Sequence, residues 1–241
     1  MRRNQPSRSM RETLDNIPSP RPRSQSCDFC DEFTGGRANT YAYRYGRQAT
    51  KRAILNYSVF RILPTLGQLT EGHLLIAPLE HYCAFADLQN EQTVELERLC
   101  HHVRSILRQT YGKCVFFEHG IRTKGSGGCG IDHAHMHAVP VLADSVLNVL
   151  LRTFTGRKLK RLEEINRIIP RHSSYLFFED SRELRYVFPV QHIPSQYLRK
   201  LIAEQIGKTD WDWRRCGFEP EIVSTIERLS PMLSGIIVER D

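Results

Sequence analysis

Several common features are missing from this chain of 241 residues. It has no run of about 18 apolar residues, the length that a membrane-spanning helix needs, so we expect no contact with a membrane. The first ten residues, MRRNQPSRSM, have no apolar segment behind them, so we expect no secretory signal. The remaining composition, 40% hydrophobic and 25% charged residues, is typical of a globular protein, and we expect a cytoplasmic one.

Closely spaced cysteines are also rare. Of seven cysteines, an odd number, only Cys27 and Cys30 lie near each other. Without a secretory signal, we expect thiols or metal ligands and no disulfides. The C-x2-C pair is half of a tetrahedral zinc site, and histidines elsewhere would have to complete it. A redox pair and two unrelated thiols are the alternatives, and the spacing alone does not choose among them.

Positive charge is concentrated at the start of the chain. Residues 1–24 contain six arginines and two acidic residues, and thus more than half of the net charge of +7. Because this segment is rich in Pro, Ser and Arg, it cannot build a core and is predicted to be a disordered basic segment. Binding of RNA by this segment is an open alternative to a merely solvated tail.

Strands and helices are mixed along the rest of the chain. Residues 53–63, 72–78 and 114–118 are predicted strands, and 175–179 with 184–189 a hairpin. Residues 91–111, 145–169 and 195–206 are predicted helices, the second of them interrupted near Gly156. Since no regular βαβ alternation is present, the pattern favours an α+β fold with an antiparallel sheet.

The sequence GCGIDHAHMHAVP, residues 128–140, places a histidine at every second position: His133, His135 and His137. Side chains alternate faces along a strand, so these three would share one face while the residues between them meet the core. On a helix the three would point in different directions. We therefore predict a strand over residues 133–141 whose histidine face lines a site.

A glycine-rich stretch, residues 125–130, directly precedes the histidines. Its backbone N–H groups can converge on an anion, and Gly128, Cys129 and Gly130 are the candidate phosphate-binding residues. No Lys-Ser/Thr follows the last glycine, so this is not a Walker-type loop. A neutral imidazole beside such a loop can attack phosphorus and form a phosphoramidate, while N–H donors stabilise the charged oxygens.

These residues resemble the histidine triad (HIT) superfamily, which includes the galactose-1-phosphate uridylyltransferases. The matching stretches are CDFC (27–30), LPTLGQLTEGHLLIAPLEH (63–81), FFEHG (116–120) and GGCGIDHAHMHAVP (127–140). The resemblance implies a HIT-like antiparallel sheet flanked by helices. It implies that His135 is the catalytic nucleophile that becomes nucleotidylated, and that His137 assists at the phosphate. It further implies a structural Zn2+ held by four ligands: Cys27, Cys30, His81 and His133.

Three positions depart from the family pattern. His137 stands where the uridylyltransferase branch has Gln, which favours the hydrolase-type branches. Thr65 is the nearest match to an acidic residue that contacts the ribose in many HIT proteins, so that contact and the nucleotide preference are open. Gly130 stands where a Ser often lies, and it offers only its backbone N–H.

The last hundred residues exceed a minimal HIT domain. Residues 188–216 loosely resemble the C-terminal extension of CwfJ-like, RNA-debranching-associated relatives. We interpret them as an amphipathic helix with a tryptophan cap, with Gln196, Arg199 and Lys200 on a solvated face. The alternative is that these side chains reach a substrate phosphate. The predicted organisation is thus a disordered segment (1–24), a HIT-like catalytic domain (25–145) and a C-terminal α/β extension packed on it (146–241).

The predicted function is that of a nucleotide hydrolase or nucleotidyl transferase. It would act on a nucleoside phosphate conjugate through a covalent nucleotidyl-histidine intermediate. The alternative is a non-catalytic, zinc-stabilised accessory protein that binds a nucleotide or RNA. A nucleotide or nucleotide conjugate is the expected partner in either case, and a homodimer is compatible with the resemblance.

Overall fold

The computed structural model describes residues 27–46, 52–122, 130–217 and 219–236. The predicted disordered segment, residues 1–24, lies outside these ranges, as do Gly128 and Cys129 of the predicted phosphate loop. None of the helices in the described ranges combines the length and apolar character needed to cross a membrane.

One eight-stranded antiparallel sheet organises the described residues, with the strand order β1-β2-β3-β5-β4-β7-β8-β6. Its strands are β1 (Leu55–Tyr57), β2 (Phe60–Pro64), β3 (Leu74–Pro78), β4 (Val115–Gly120), β5 (Met136–Val139), β6 (Arg157–Leu159), β7 (Ser174–Glu179) and β8 (Arg185–Val190). The predicted α+β fold with an antiparallel sheet is therefore confirmed.

Seven α-helices accompany the sheet in the described residues. They are α1 (Asp28–Phe33), α2 (Thr40–Tyr45), α3 (Asn90–Tyr111), α4 (Asp144–Thr153), α5 (Glu164–Ile168), α6 (Tyr197–Gln205) and α7 (Glu219–Ser234). The helix predicted over 91–111 is confirmed as α3, whose buried stripe of Leu96, Leu99 and Val103 has helical spacing. It ends at Gly112, whose φ of +90° suits glycine.

Apolar side chains cover both faces of the sheet. On one face, Ile76 and Phe116 belong to a core that also includes Leu99 of α3 and Leu229 of α7. On the other face, a second core joins the sheet to α4 and α6, and its members include Phe117, Val139, Phe178, Leu150 and Ile202. The central strands are thus buried on both sides, which is why their sequences are nearly continuous apolar runs.

Three sequence predictions need correction. Residues 53–63 form two strands, because a turn at Ser58, with φ of +54°, folds β2 back on β1. Part of the predicted helix 145–169 is strand β6, an edge strand that pairs with β8. Of the strand predicted over 133–141, only Met136–Val139 is paired as β5, so His133 and His135 precede it.

The sheet continues across the predicted domain boundary at residues 145 and 146. Strand β7, from the C-terminal part, pairs with β4 over five residues, from Phe116↔Glu179 to Gly120↔Tyr175. The division of the chain into a catalytic domain and an extension stays a prediction.

Candidate functional site

The three histidines of the H-x-H-x-H stretch do lie along one side of the chain. His137 is on β5 at the centre of the sheet, opposite Leu75 of β3 and Phe117 of β4. The ring centroids of His135 and His137 are 4.9 Å apart. The residues between the histidines are buried in the core on the opposite face. The side chains therefore alternate as predicted, although the paired strand begins only at Met136.

His135 is held in one tautomer. Its Nδ1 lies 2.7 Å from the carbonyl oxygen of His133, and a carbonyl only accepts, so Nδ1 carries the proton. The lone pair of the neutral ring is then on Nε2. Burial lowers the pKa of His135 to about 4, against a weaker raising effect of this hydrogen bond. The imidazole is thus uncharged at neutral pH, which is the state that a nucleophile requires.

His137 is held in the opposite tautomer by a chain of hydrogen bonds. The backbone N–H of Leu69 donates to Nδ1 of His73, over 3.3 Å, so the proton of His73 is on Nε2. That Nε2 lies 2.9 Å from Nδ1 of His137 and donates to it. The proton of His137 is therefore on Nε2, and its ring stacks on Phe117 with centroids 4.2 Å apart. His137 is consequently positioned as a hydrogen-bond donor.

Both histidines line a pocket at the central strands of the sheet, to which Leu75 of β3 and His119 of β4 also contribute. The lining residues are Phe29, Arg52, Thr65, Leu66, Leu75, His119, Ile131, His135, His137, Gln196, Arg199 and Trp213. None of these described lining residues carries a carboxylate, whereas two are arginines and three are histidines. The pocket is therefore suited to an anion.

The two arginines of the pocket have different surroundings. Arg52 makes two hydrogen bonds of 2.7 Å to the carboxylate of Glu32, so its charge is matched. Its Nη1 also donates to the carbonyl of Pro64 over 2.6 Å, which fastens α1 to the end of β2. Arg199 is 2% exposed, and its hydrogen bonds within the described residues go to the carbonyl oxygens of Gly67 and Trp211.

His119 links the pocket to the C-terminal part of the chain. The backbone N–H of Leu198 donates to Nε2 of His119 over 3.2 Å, so the proton of His119 is on Nδ1. Burial lowers the pKa of His119 to about 3, with smaller contributions from the charges of His135 and Arg199. His119 is thus a neutral second donor in the pocket wall.

A second cluster lies beside the pocket and contains two cysteines and two histidines. The ligand atoms of Cys27, Cys30, His81 and His133 all lie within 4.8 Å of one another. Sγ of Cys27 is 3.3 Å from Nδ1 of His133, and Sγ of Cys30 is 3.4 Å from Nδ1 of His81. These four are the residues that the resemblance implied as zinc ligands, and the fold brings them together.

The tautomer of His133 fits a metal at this cluster. Its Nε2 donates to the carbonyl oxygen of Pro78 over 2.8 Å, so the lone pair is on Nδ1, on the side of the cysteines. Two thiolates and two imidazole nitrogens are a tetrahedral donor set that Zn2+ prefers. The donor atoms and the outer hydrogen bond both suit that ion.

Helix α1 connects the cluster to the pocket. Phe29, between the two cysteines, is buried and lies in the pocket wall. Its ring centroid is 5.5 Å from that of His133 and 5.6 Å from that of His135, both in edge contacts. The position of this wall therefore depends on the cluster that fixes both ends of the first turn of α1.

Two of the positions that depart from the family pattern are also placed. Thr65 is buried in the pocket wall, and its hydroxyl donates to the carbonyl of Leu66 over 3.1 Å. Gly130, the one described member of the predicted phosphate loop, has φ of +86°. A Cβ atom there would come within 2.8 Å of the Arg214 side chain, so Gly130 itself packs closely against the C-terminal part of the chain.

The prediction for the charged face of α6 is wrong for Arg199. Lys200 is exposed and lies 3.7 Å from Glu204, as expected of a solvated face. Arg199, in contrast, is buried with Ile202 and Ala203, three and four residues further on. The helical spacing was the available signal, because it places Arg199 on the apolar stripe. No comparable signal pointed to Phe29 or Arg52.

The comparisons with known proteins agree with the predicted resemblance. A family model described as "Protein similar to CwfJ C-terminal" matches residues 51–153, which include the three histidines. CWF19-like protein 1 of Pongo abelii is 23% identical over 176 residues, which are 67% of this chain and 31% of that protein. The chain therefore spans about a third of the length of this curated relative. The similarity to CwfJ-like proteins is confirmed, and the matched region lies before the segment 188–216 that suggested it.

Solved structures similar to this chain include histidine triad proteins. A zinc-bound histidine triad family protein from Mycobacterium smegmatis is 19% identical, with a TM-score of 0.36, over 48% of this chain and 74% of that chain. Yeast Ap4A phosphorylase in complex with AMP is 12% identical, with a TM-score of 0.40, over 71% of this chain and 79% of that chain.

Proposed function

We propose that this protein is a HIT-type nucleotide hydrolase or nucleotidyl transferase that works through a covalent nucleotide on His135. The observation that carries this proposal is the fixed tautomer of His135. Its Nδ1–H is bound to the carbonyl of His133, so the neutral ring has its lone pair on Nε2, and the described residues that line its pocket include no carboxylate.

The reaction would proceed in two displacements. In the first, the Nε2 lone pair of His135 forms a bond to the α-phosphorus of a nucleotide conjugate, and the bond to the leaving group breaks with its electron pair. The ring then carries a positive charge, which the hydrogen bond from Nδ1–H to the His133 carbonyl stabilises. In the second, water or an acceptor phosphate attacks the phosphorus, the N–P bond breaks, and its electron pair returns to Nε2. A proton lost by the attacking water passes to solvent.

The other residues would stabilise the charge that develops on the phosphoryl oxygens. His137 and His119 line the pocket as neutral N–H donors, and donors fixed in advance lower the barrier most effectively. Backbone N–H groups of Gly128, Cys129 and Gly130 remain predicted phosphate ligands.

Zn2+ would be held by Cys27, Cys30, His81 and His133 and would have a structural role. Bound there, the ion cross-links the N-terminal helix to the segment that carries His135. Cys27 and Cys30 also position Phe29, which lies between them in the chain. The ring of Phe29 makes an edge contact with the ring of His135. Cytoplasmic location, the domain boundary and a homodimer also stay predictions.

Intact-mass spectrometry tests the proposal. The protein is incubated with a dinucleoside polyphosphate, a nucleotide sugar, a nucleoside phosphoramidate or capped RNA, and is quenched at alkaline pH because phosphoramidates are labile in acid. We expect one added nucleotidyl group with at least one substrate. His135→Ala should lack the adduct, and His101→Ala, an exposed position on α3, should keep it.

Two results would count against the proposal. Turnover that is unchanged in His135→Ala, without an adduct in the natural protein, would eliminate the covalent mechanism. Tight nucleotide or RNA binding without any turnover would favour the alternative of an accessory binding protein.

A further inference from the structure

Arg199 is a buried cation without an acidic hydrogen-bond partner among the described residues. Its Nη2 donates to the carbonyl oxygens of Gly67 and Trp211, and its Nη1 is buried with no hydrogen-bond partner among those residues. Carbonyl oxygens do not neutralise a guanidinium. Asp212 compensates the charge of Arg199 only in part, because burial outweighs the attraction of that carboxylate and lowers the pKa of Arg199 to about 10.

Other buried arginines are paired. Arg52, also 2% exposed, forms its two hydrogen bonds with Glu32. Arg104, 3% exposed, binds the carboxylate of Glu179 through Nε at 2.9 Å. Burial of an unpaired charge is costly. A ligand that supplies the missing negative charge explains why Arg199 differs from these two.

The location of Arg199 indicates where that ligand binds. Its side chain lines the same pocket as His119, His135 and His137. The segment 211–217 is attached to the start of α6, because Gln196 donates to Asp212 over 2.6 Å. The carbonyl of Trp211 in this segment in turn accepts a hydrogen bond from Arg199 and holds its side chain in the pocket.

His119 and His137 offer the pocket two neutral N–H donors, which suit the oxygens of one phosphoryl group. A mononegative phosphoryl centre is attacked more readily when neutral N–H groups bind its oxygens. A full positive charge is better matched to a second phosphate, which gains negative charge when it departs with the electron pair of the broken P–O bond. Arg is well suited to that task because its fork of donors fits phosphate oxygens.

We propose that Arg199 binds the phosphate adjacent to the one that His135 attacks, so that the pocket selects nucleotides joined to their leaving group by a phosphoric anhydride. The reaction part of this inference rests on the proposed function. The binding part does not, since a pocket for two linked phosphates can be measured without turnover.

The binding arm uses inorganic pyrophosphate and inorganic phosphate, which are independent of the base. Isothermal titration of the full chain should give at least about tenfold tighter binding of pyrophosphate, the lower end expected for a charge-assisted contact. Arg199→Met should abolish this preference, and Lys200→Met, at the exposed neighbour, should keep it. Because Arg199 also holds two carbonyls, Arg199→Gln serves as a second neutral variant that retains a donor. The absence of any preference in the natural protein, or a preference that survives in a folded neutral variant, would overturn the inference.

The kinetic arm compares a dinucleoside polyphosphate with a nucleoside phosphoramidate. We expect Arg199→Gln to lower kcat/KM for the anhydride at least about tenfold more than for the phosphoramidate. An equal loss for both substrates would mean that Arg199 only positions the site, and would refute the assignment. If the natural protein turns over neither substrate, the proposed function fails, while the pyrophosphate preference still decides the binding inference.

Discussion

The buried histidines should make the protein less stable in mild acid, and His119 allows the size of this effect to be worked out. Burial lowers its pKa from 6.5 to about 3 in the folded protein. Between these values the unfolded chain binds a proton that the folded protein does not. The contribution of His119 to stability is therefore complete above pH 6.5 and decreases as the pH falls toward 3.

The magnitude follows from proton linkage. At pH 5 almost every unfolded molecule carries the His119 proton and almost no folded molecule does, which costs about 2 kcal/mol relative to pH 8. Burial also lowers the pKa of His73 and of His137 well below the ordinary value, so the total loss in the natural protein should exceed this figure.

The assay is urea unfolding at pH 8 and at pH 5 for the natural protein and for His119→Gln. Glutamine does not titrate, and its side-chain oxygen can accept the hydrogen bond from Leu198. The variant should lose about 2 kcal/mol less between the two pH values than the natural protein. Metal loss and the titration of carboxylates affect both proteins equally. Their contributions to the pH dependence therefore cancel when the two proteins are compared. An identical pH dependence in both proteins would refute the assignment of a buried neutral imidazole at position 119.

Three further predictions concern the metal cluster, the hydrogen-bond chain and the sheet. Removal of bound metal by a chelator should lower Tm and the rate of adduct formation together, because α1 and Phe29 are released; full activity with no zinc by elemental analysis would contradict this. His73→Leu leaves two buried polar groups unsatisfied, so the free energy of unfolding should fall by about 2–6 kcal/mol and adduct formation should slow, as measured by urea titration and rapid quench. A Cβ at Gly120 would lie 2.1 Å from the Tyr175 ring, so Gly120→Ala should lower the free energy of unfolding by about 1–3 kcal/mol. A Cβ at Gly235 would have no described atom within 4 Å, so Gly235→Ala is the matched control. Thermal unfolding should show almost no change in Tm for this variant.

The fold was largely predictable because its main elements carry a clear period. The apolar stripe of α3 and the two apolar runs of the β7–β8 hairpin, joined by Asp180-Ser181-Arg182, both follow from local sequence. Strand β6 was not predictable, since Arg157–Leu159 is a short, mainly exposed edge strand that exists because β8 pairs with it. Local propensity does not report a pairing partner that lies some 30 residues away in the chain.

The candidate site was predictable only in part. The spacing of the histidines indicated a shared face, whereas the role of His81 in the metal cluster came from the family resemblance and not from its own surroundings. The contact between His119 and Leu198 joins residues 79 positions apart, and no local pattern encodes it. The prediction of a solvated Arg199 is wrong: charged residues on a helix are usually solvated, but its spacing with Ile202 and Ala203 places it on the buried side.

The most direct test of the covalent mechanism is to locate the nucleotidyl group. The protein is trapped during turnover at alkaline pH, digested, and analysed by tandem mass spectrometry together with 31P NMR. We expect a phosphoramidate on the imidazole of His135 and on no other histidine of residues 133–137. A nucleotide attached to a different residue, or turnover at the full rate with no attached nucleotide, would contradict it.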